Sequence, residues 1–268
     1  MIELLLDDVS SWPPRLLARF EANERLLVAY DECEKKRMDD KAWGSTYVPM
    51  ALRPPNPHYC SKQAFLEAIR VEFSDRLVFR GFHCTRLIDD EVNAILKDGM
   101  TPPTPAMLER RINVIEQAGL ITRDVARLLV RENDAGSPTR SGRTWFIFTK
   151  APLRSKIGVG SLLRYWGGEA LYGRHYSNQE IGPMLAGIGT ARIIEAAVPL
   201  SRMRLISFPG NQMTQQFLAT RGVDVSDRDY VDMTELPVAA DRIRAVISRR
   251  QAAFEALTGC ATWRPPLL

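Results

Sequence analysis

The stretch LVFRGFHCTRLIDDEVNAILKDGM, residues 77–100, joins two hydrophobic patterns that are typical of different secondary structures. Its first part, through Cys84, is rich in β-branched and aromatic residues without a helical period, which predicts a strand. Its second part, DDEVNAILKDG at 89–99, begins with acidic residues and ends in Gly99, which predicts a helix. We therefore expect a strand that is followed directly by a helix.

Alternation along this strand sorts its side chains onto two faces. Gly81, His83 and Thr85 share one face, whereas Arg80 and Phe82 lie on the other. Gly81 is expected to leave space beside His83 for a ligand that approaches the backbone. A lone histidine at a strand end is also compatible with a structural or solvated role, so His83 alone does not define a site.

The segments on either side of this stretch predict an α+β protein. Residues 1–75 are expected to form a helical N-terminal subdomain, and residues 76–268 a second domain. Within the second domain, residues 105–133 predict inserted amphipathic helices and residues 239–257 a basic C-terminal helix. Further strands are predicted at 144–153, 191–200 and 203–208. Strands and helices do not alternate regularly, which favours α+β over a doubly wound sheet.

The composition is ordinary for a soluble globular protein, with 45% hydrophobic and 25% charged residues. The 36 Lys+Arg against 32 Asp+Glu are compatible with an anionic partner but do not require one. The four cysteines are scattered without a CxxC pair, so we predict no metal site and reduced thiols. No apolar run approaches the ~18 residues of a membrane span, and the N-terminus lacks a basic signal region. A cytoplasmic protein without membrane association is expected.

A second candidate site residue, Glu195, lies in the apolar segment RIIEAAVP, residues 192–199. An ionisable carboxylate among aliphatic side chains is unusual, because burial of a charge is costly unless the charge is paired. One interpretation is an amphipathic strand on which Glu195 faces solvent. The other is a carboxylate in a cleft, where it polarises a hydroxyl or stabilises a developing positive charge.

In their order and separation these segments resemble the ADP-ribosyltransferase superfamily, most closely the DarT-like toxins that ADP-ribosylate nucleic acid. The resemblance rests on His83-Cys84-Thr85 in the first core strand, the helix that ends at Gly99, the aromatic strand WFIFTKAPL, and RIIEAAVPLSRMRLISF. It covers residues 77–208, and His83 and Glu195 lie 112 residues apart. It implies the ADP-ribosyltransferase-like split mixed β-sheet core, here with a helical N-terminal extension and inserted helices.

The resemblance also implies an activity, that of an NAD-dependent mono-ADP-ribosyltransferase that modifies a macromolecule. In that family the glutamate that corresponds to Glu195 is catalytic, and His83 and Thr85 would hydrogen-bond ribose hydroxyls of NAD. At the pyrophosphate we further expect Arg80, Arg154 or the GVGS turn at 158–161. The candidates for stacking on the nicotinamide ring are Tyr165, Trp166 and Tyr172. These roles require His83 and Glu195 to face one cleft.

The biological setting implied by the resemblance is a toxin or phage-defence effector, with an antitoxin protein as a partner. The acceptor is DNA, RNA or a protein. Nucleic acid is favoured by the basic loop at 137–143 and by the arginines of the predicted terminal helix. Two alternatives stay open: an RNA 2′-phosphotransferase-like enzyme of the same fold, and a non-catalytic binding module in which His83 and Glu195 are structural.

Overall fold

The computed structural model describes residues 1–39, 49, 52–204, 208–225 and 229–267. The chain divides into two compact units, Met1–Leu77 with Ser207–Arg228, and Val78–Ile206 with Asp229–Leu268. The first boundary lies at Leu77, close to the predicted residue 75. The prediction placed all of 76–268 in one domain, whereas the structure assigns the segment 207–228 to the N-terminal unit.

The regular elements are numbered along the chain. The strands are β1 (Ile2–Leu4), β2 (Leu77–Leu87), β3 (Thr144–Ile147), β4 (Thr190–Pro199), β5 (Val231–Thr234) and β6 (Ile243–Ser248). The helices are α1 (Pro14–Ala22), α2 (Glu24–Met38), α3 (Tyr59–Phe73), α4 (Asp89–Asp98), α5 (Pro105–Gln117), α6 (Arg123–Arg131), α7 (Gly158–Arg164), α8 (Tyr172–His175), α9 (Ile181–Gly187), α10 (Gly210–Thr220) and α11 (Ala252–Thr258).

In the first unit the helices pack around Phe20 of α1, which is fully buried. Its ring centroid lies 5.1 Å from that of Phe65 in α3 and 5.6 Å from that of Phe217 in α10. Aromatic contacts of this kind add to the free energy of burying each ring. They explain why α10, although remote in sequence, joins the N-terminal helices.

A buried cation also lies in the first unit. Lys62 of α3 donates from Nζ to Oδ1 of Asn211 at 2.8 Å, and Nζ lies 3.9 Å from the ring centroid of Tyr30. Burial lowers the pKa of Lys62 to about 8, although the negative charges of Asp31 and Glu34 oppose that effect. An amide oxygen and an aromatic ring therefore hold this ammonium group.

The second unit is built on a sheet whose five strands lie in the order β5-β3-β2-β4-β6. Each pair of neighbours in this order is antiparallel. The α+β class is confirmed. These five strands make one continuous antiparallel path, and the ADP-ribosyltransferase-like core implied by the resemblance stays a prediction.

Strands β2 and β4 are the long central pair, and both fall where the sequence predicts strands. They pair without interruption from Val78 opposite Pro199 to Leu87 opposite Thr190. Strand β2 is mostly buried along its whole length, as expected for a central strand that is covered on both faces. Ladder pairing over ten residues fixes which side chains of the two strands are neighbours.

The predicted helices next to this pair are present. α4 ends at Gly99, whose φ of 83° lies in the left-handed region that favours glycine. The insertion predicted at 105–133 contains α5 and α6, which share a buried cluster that includes Ile112, Leu129 and Trp166. No helix in the described ranges is long and apolar enough to cross a membrane.

Three predictions for the second unit need correction or lie outside the described residues. The helix predicted at 239–257 is wrong, because β6 occupies residues 243–248, between a 3₁₀ turn at 240–242 and α11, which begins at residue 252. The alternating Ile243, Ala245 and Ile247 fit a strand, and pairing with β4 decides the outcome. The strand predicted at 144–153 is shorter, since β3 ends at residue 147. Of the strand predicted at 203–208, residues 205–207 lie outside the described residues.

Candidate functional site

The pairing of β2 with β4 defines two chemically different faces of the sheet. Residues directly opposite one another on antiparallel strands point to the same face. The side that we call the His83 face carries Gly81, His83 and Thr85 of β2 with Ala196, Ile194 and Arg192 of β4. The side that we call the Glu195 face carries Arg80, Phe82 and Cys84 of β2 with Ala197, Glu195 and Ile193 of β4.

His83 and Glu195 therefore point to opposite faces of the sheet. Glu195 lies opposite Phe82, the residue directly before His83. The expectation that His83 and Glu195 face one cleft is wrong, because successive side chains of a strand alternate between faces. The two residues are near in the sheet, but its backbone separates their side chains.

On the Glu195 face, the carboxylate of Glu195 forms an ion pair with Arg80. Glu195 Oε1 lies 3.2 Å from Nη1 of Arg80, and the two side chains are 16% and 36% exposed. Arg80, predicted to contact pyrophosphate, is instead the counter-ion of the predicted catalytic residue. The ladder with β6 shifts by one residue between Glu195 and Ala196, which forms a bulge beside this pair.

On the other side of the sheet, His83 is half-buried and held in one orientation. Its Nδ1 lies 2.9 Å from the backbone oxygen of Trp145, and its ring centroid 5.9 Å from that of Phe146. A carbonyl oxygen only accepts, so Nδ1 carries the proton and the neutral ring presents an acceptor at Nε2. Burial, and to a lesser degree the charge of Arg111, lower the pKa of His83, which keeps the ring neutral at neutral pH.

The space beside His83 that Gly81 was expected to leave is filled by aromatic side chains. A Cβ at position 81 would lie 2.6 Å from Cε1 of Phe148 and 3.1 Å from Cβ of Phe146. Glycine is required here by close packing between β2 and β3. The prediction of ligand access at Gly81 is therefore wrong, and access to His83 comes from its solvent-exposed side.

Gly81→Ala is expected to lower the free energy of unfolding by about 1–3 kcal/mol, because the added methyl group overpacks a closed contact. Urea denaturation measures the change. Gly187→Ala is the matched control, because a Cβ at that position meets no atom within 4 Å. Equal stability of the Gly81 and Gly187 variants would show that the contact with Phe148 yields without cost.

Charged and aromatic groups from the inserted segment lie next to the His83 face. Arg111 of α5 pairs with Oε1 of Glu91 in α4, and its Cζ lies 4.8 Å from the ring centroid of Trp166. Oε2 of Glu91 accepts from Nε1 of Trp166 at 3.1 Å and from the backbone N–H of Ile88 at 2.9 Å. Glu91 thus fixes the position of Arg111, whose charge acts on His83.

Several buried donors around this face have no hydrogen-bond partner in the described part of the chain. They are Nη2 of Arg111, Nε of Arg192 and Oγ1 of Thr144. Arg192 lies opposite Thr85, and its Nη2 donates to Oδ1 of Asp89 at 2.5 Å. Buried polar groups are normally hydrogen-bonded, so these donors are available to a water molecule or to a polar ligand. Guanidinium and hydroxyl donors suit an anion or a sugar.

Two of the predicted cofactor residues lie apart from this cluster. The ring of Tyr165 stacks on Tyr172 at 6.1 Å and packs against the cluster of inserted helices. Arg154 is exposed at the end of a short turn, and no hydrogen bond or ion pair joins it to another predicted site residue in the described ranges. The structure thus brings together His83, Thr85, Arg111 and Arg192.

The sequence contains a signal for Glu91, which was not predicted as a site residue, and a signal for the partner of Trp166, which was predicted only as a candidate for stacking on nicotinamide. Glu91 is the third residue of α4, the position from which a glutamate side chain accepts from the N-cap backbone N–H. Trp166, which is fully buried, needs a partner for its indole N–H. Nothing local marks Arg111 or Arg192, because their positions depend on how α5 and β4 pack.

Cavities of 420 and 440 Å³ lie elsewhere in the second unit. Neither is lined by residues of the His83 face.

Comparisons with protein-family models, curated proteins and solved structures find no match to this chain. Evidence on function therefore comes from the chemistry of the two faces. The Glu195 face carries the ion pair of Glu195 with Arg80. The His83 face carries the acceptor nitrogen of His83 and the donors of Arg111 and Arg192 that have no partner among the described residues.

Proposed function

We propose that the second unit is an NAD-dependent mono-ADP-ribosyltransferase that modifies a macromolecule, with NAD bound on the His83 face. The observation that supports this most is the orientation of His83. Its donor nitrogen is occupied by Trp145, so the other nitrogen accepts from a ligand hydroxyl. Thr85 adds a hydroxyl on the same face, and together they suit the diol of a ribose.

The cations beside His83 support a pyrophosphate-bearing ligand. Arg111 and Arg192 each keep one buried N–H group that has no acceptor in the described residues. Guanidinium groups bind phosphate oxygens with strong, directional hydrogen bonds. In this proposal Arg111 and Arg192 take the role that the family resemblance gave to Arg80 and Arg154.

The reaction would break the bond between the nicotinamide nitrogen and C1′ of the ribose. Nicotinamide leaves with the electron pair, and an acceptor oxygen or nitrogen forms a new bond to C1′ and releases its proton. The transition state resembles an oxocarbenium ion, so positioning and a nearby negative charge supply much of the acceleration. His83 would orient the ribose, and the arginines would fix the phosphates.

The position of Glu195 favours a second candidate function, a module that binds NAD without transferring ADP-ribose. The family's catalytic carboxylate must face the ribose, but Glu195 lies on the opposite face, where it pairs with Arg80. Glu91, the carboxylate held beside Arg111, already accepts hydrogen bonds at both oxygens. No contact on either face favours the RNA 2′-phosphotransferase alternative, which stays a prediction.

The nature of the ADP-ribose acceptor is part of the proposal. The basic loop at 137–143 supports a nucleic-acid acceptor less than its sequence indicated. Arg140 and Arg143 of residues 137–143 pair with Glu169 and Glu235, each at 3.3 Å. Arg249 and Arg250, in contrast, are exposed after β6. DNA or RNA stays the favoured acceptor over protein. The toxin or phage-defence setting, the antitoxin partner and the cytoplasmic location come from the resemblance and the sequence alone.

His83→Ala is expected to weaken NAD binding about fivefold, because one hydrogen bond to a ribose hydroxyl is worth on the order of 1 kcal/mol. Isothermal titration calorimetry with NAD measures the change. His58→Ala is the matched control, since His58 is a half-buried histidine of the other unit. NAD binding that is equal in both variants, or absent from the parent protein, excludes the His83 face as an NAD site.

A transfer assay with labelled NAD separates the two candidate functions. Label incorporated into DNA, RNA or protein supports the transferase. NAD binding that depends on His83, without incorporation into any acceptor, supports the binding module instead. Glu195→Gln then tests the carboxylate: transfer that is lost while NAD binding persists returns Glu195 to the mechanism, whereas unchanged transfer confirms that the Glu195 face is not used.

A further inference from the structure

A cavity of 420 Å³ lies between the turn after β6 and the C-terminal segment of the second unit. Its lining includes Arg249, Arg250, Glu255, Cys260, Pro266 and Leu267. None of these residues belongs to the His83 face or to the Glu195 face. The volume of the cavity lies within the range of small-molecule sites, and it is partly open to solvent.

The two arginines of this cavity are cations without a direct ion-pair partner among the described residues. Both are exposed, and neither guanidinium group makes a hydrogen bond or ion pair with the described residues. Glu255 also lines the cavity and contributes one negative charge, but its carboxylate makes no direct ion pair with either arginine among the described residues. Its oxygens accept from the backbone N–H of Ala261 at 3.1 and 3.2 Å and from Sγ of Cys260 at 3.1 Å.

Two further guanidinium groups, those of Arg164 and Arg86, add positive charge near the cavity. Arg164 donates to the backbone oxygens of Pro265 and Pro266 at 2.8 and 2.7 Å, and so holds the C-terminal wall in place. Burial and, to a lesser degree, the positive charges of Arg249 and Arg164 lower the pKa of the buried Arg86 to about 10. The positive charges of Arg86, Arg164, Arg249 and Arg250 outweigh the negative charge of Glu255, so the local potential is positive and attracts an anion.

The rest of the lining is apolar and defines the shape of a ligand. Pro266, Leu267 and Ala261 cover part of the wall, beside the charged groups. A ligand that suits both parts has an anionic head for the arginines and a small carbon-containing portion for the wall.

We infer that this cavity binds the phosphate group of a small phosphate monoester through Arg249 and Arg250. A monoester carries up to two negative charges and presents three terminal oxygens, which match paired guanidinium groups better than a carboxylate does. The arginines hold the phosphate, and the apolar wall contacts the ester carbon atoms. This inference does not depend on NAD binding at the His83 face.

Calorimetric titration with butyl phosphate at low ionic strength tests the inference. Replacing both arginines, Arg249→Ala with Arg250→Ala, is expected to weaken binding at least about tenfold. The control replaces Arg25 and Arg123 with alanine, since both are exposed and without an ion pair in the described ranges. It changes the net charge equally and should bind butyl phosphate as the parent does.

Other probes identify the source of the phosphate and can overturn the inference. Inorganic phosphate should compete with butyl phosphate, and a short oligonucleotide without a terminal phosphate should not. Competition by that oligonucleotide would mean that backbone diesters are recognised, against the monoester assignment. Equal binding in the double variant and in the charge-matched control would remove the cavity as the site. Binding of butyl phosphate that persists in His83→Ala distinguishes this site from the NAD site.

Discussion

Trp166→Ala is expected to lower the free energy of unfolding by about 3–5 kcal/mol, the largest effect that we predict for a single substitution. Trp166 is 0% exposed and belongs to the cluster that joins α5, α6 and α9. Alanine removes the ring from that cluster, the hydrogen bond to Glu91, and the contact with Arg111. Urea denaturation measures the loss.

Trp166→Phe separates packing from hydrogen bonding. It keeps most of the ring but leaves Oε2 of Glu91 without the indole donor, so we expect a loss of about 1–2 kcal/mol. Trp145→Phe is the matched control, because the indole N–H of Trp145 reaches the exposed backbone oxygen of Thr139 at 3.3 Å. If both phenylalanine variants lose the same stability, the hydrogen bond to Glu91 has no special weight.

The second large effect concerns pH. The pKa of Lys62 is about 8 in the folded protein, below the ordinary value of 10.5. Between these two values the unfolded chain binds more protons than the folded one, so the free energy of unfolding rises as pH increases through this window. A difference of this size corresponds to about 3 kcal/mol, which is a cost fully present below pH 8.

Urea denaturation between pH 7 and 10.5 measures this dependence, and Lys62→Met should remove most of the rise. The control is Lys36→Met, because Lys36 is exposed on α2 and has no ion pair among the described residues. It should keep the slope of the parent protein. A Lys62→Met variant with the parent's slope would assign the titration to another group.

The local parts of the fold were predictable because the residues near in sequence decide them. The strand with His83 shows its alternation within a few residues, and α4 shows both its acidic start and its glycine end. Residues 239–257 show where local signals fail. The polar residues Arg244 and Ser248 alternate with apolar residues, which favours a strand. The alanines that follow favour a helix, and pairing with β4 decides the outcome for residues 243–248.

The candidate site was predictable only in part, because it depends on the register between strands that are distant in sequence. Alternation correctly groups Gly81, His83 and Thr85, since that rule needs one strand. The face of Glu195 depends on its pairing with Phe82, across a separation of more than 100 residues. A shift of one residue would place Glu195 on the other face. The hydrophobic pattern of the sequence does not reveal the register, because β2 is mostly buried and has apolar side chains on both of its faces.

Arg86 ties the ends of the central strands together. Its guanidinium donates to the backbone oxygens of Ile188 at 2.7 Å and Gly189 at 3.0 Å, directly before β4. One side chain of β2 thus anchors the entrance to β4, where the alignment of the two strands begins. With the alignment held in this way, a substitution on the His83 face leaves Glu195 opposite Phe82 and paired with Arg80.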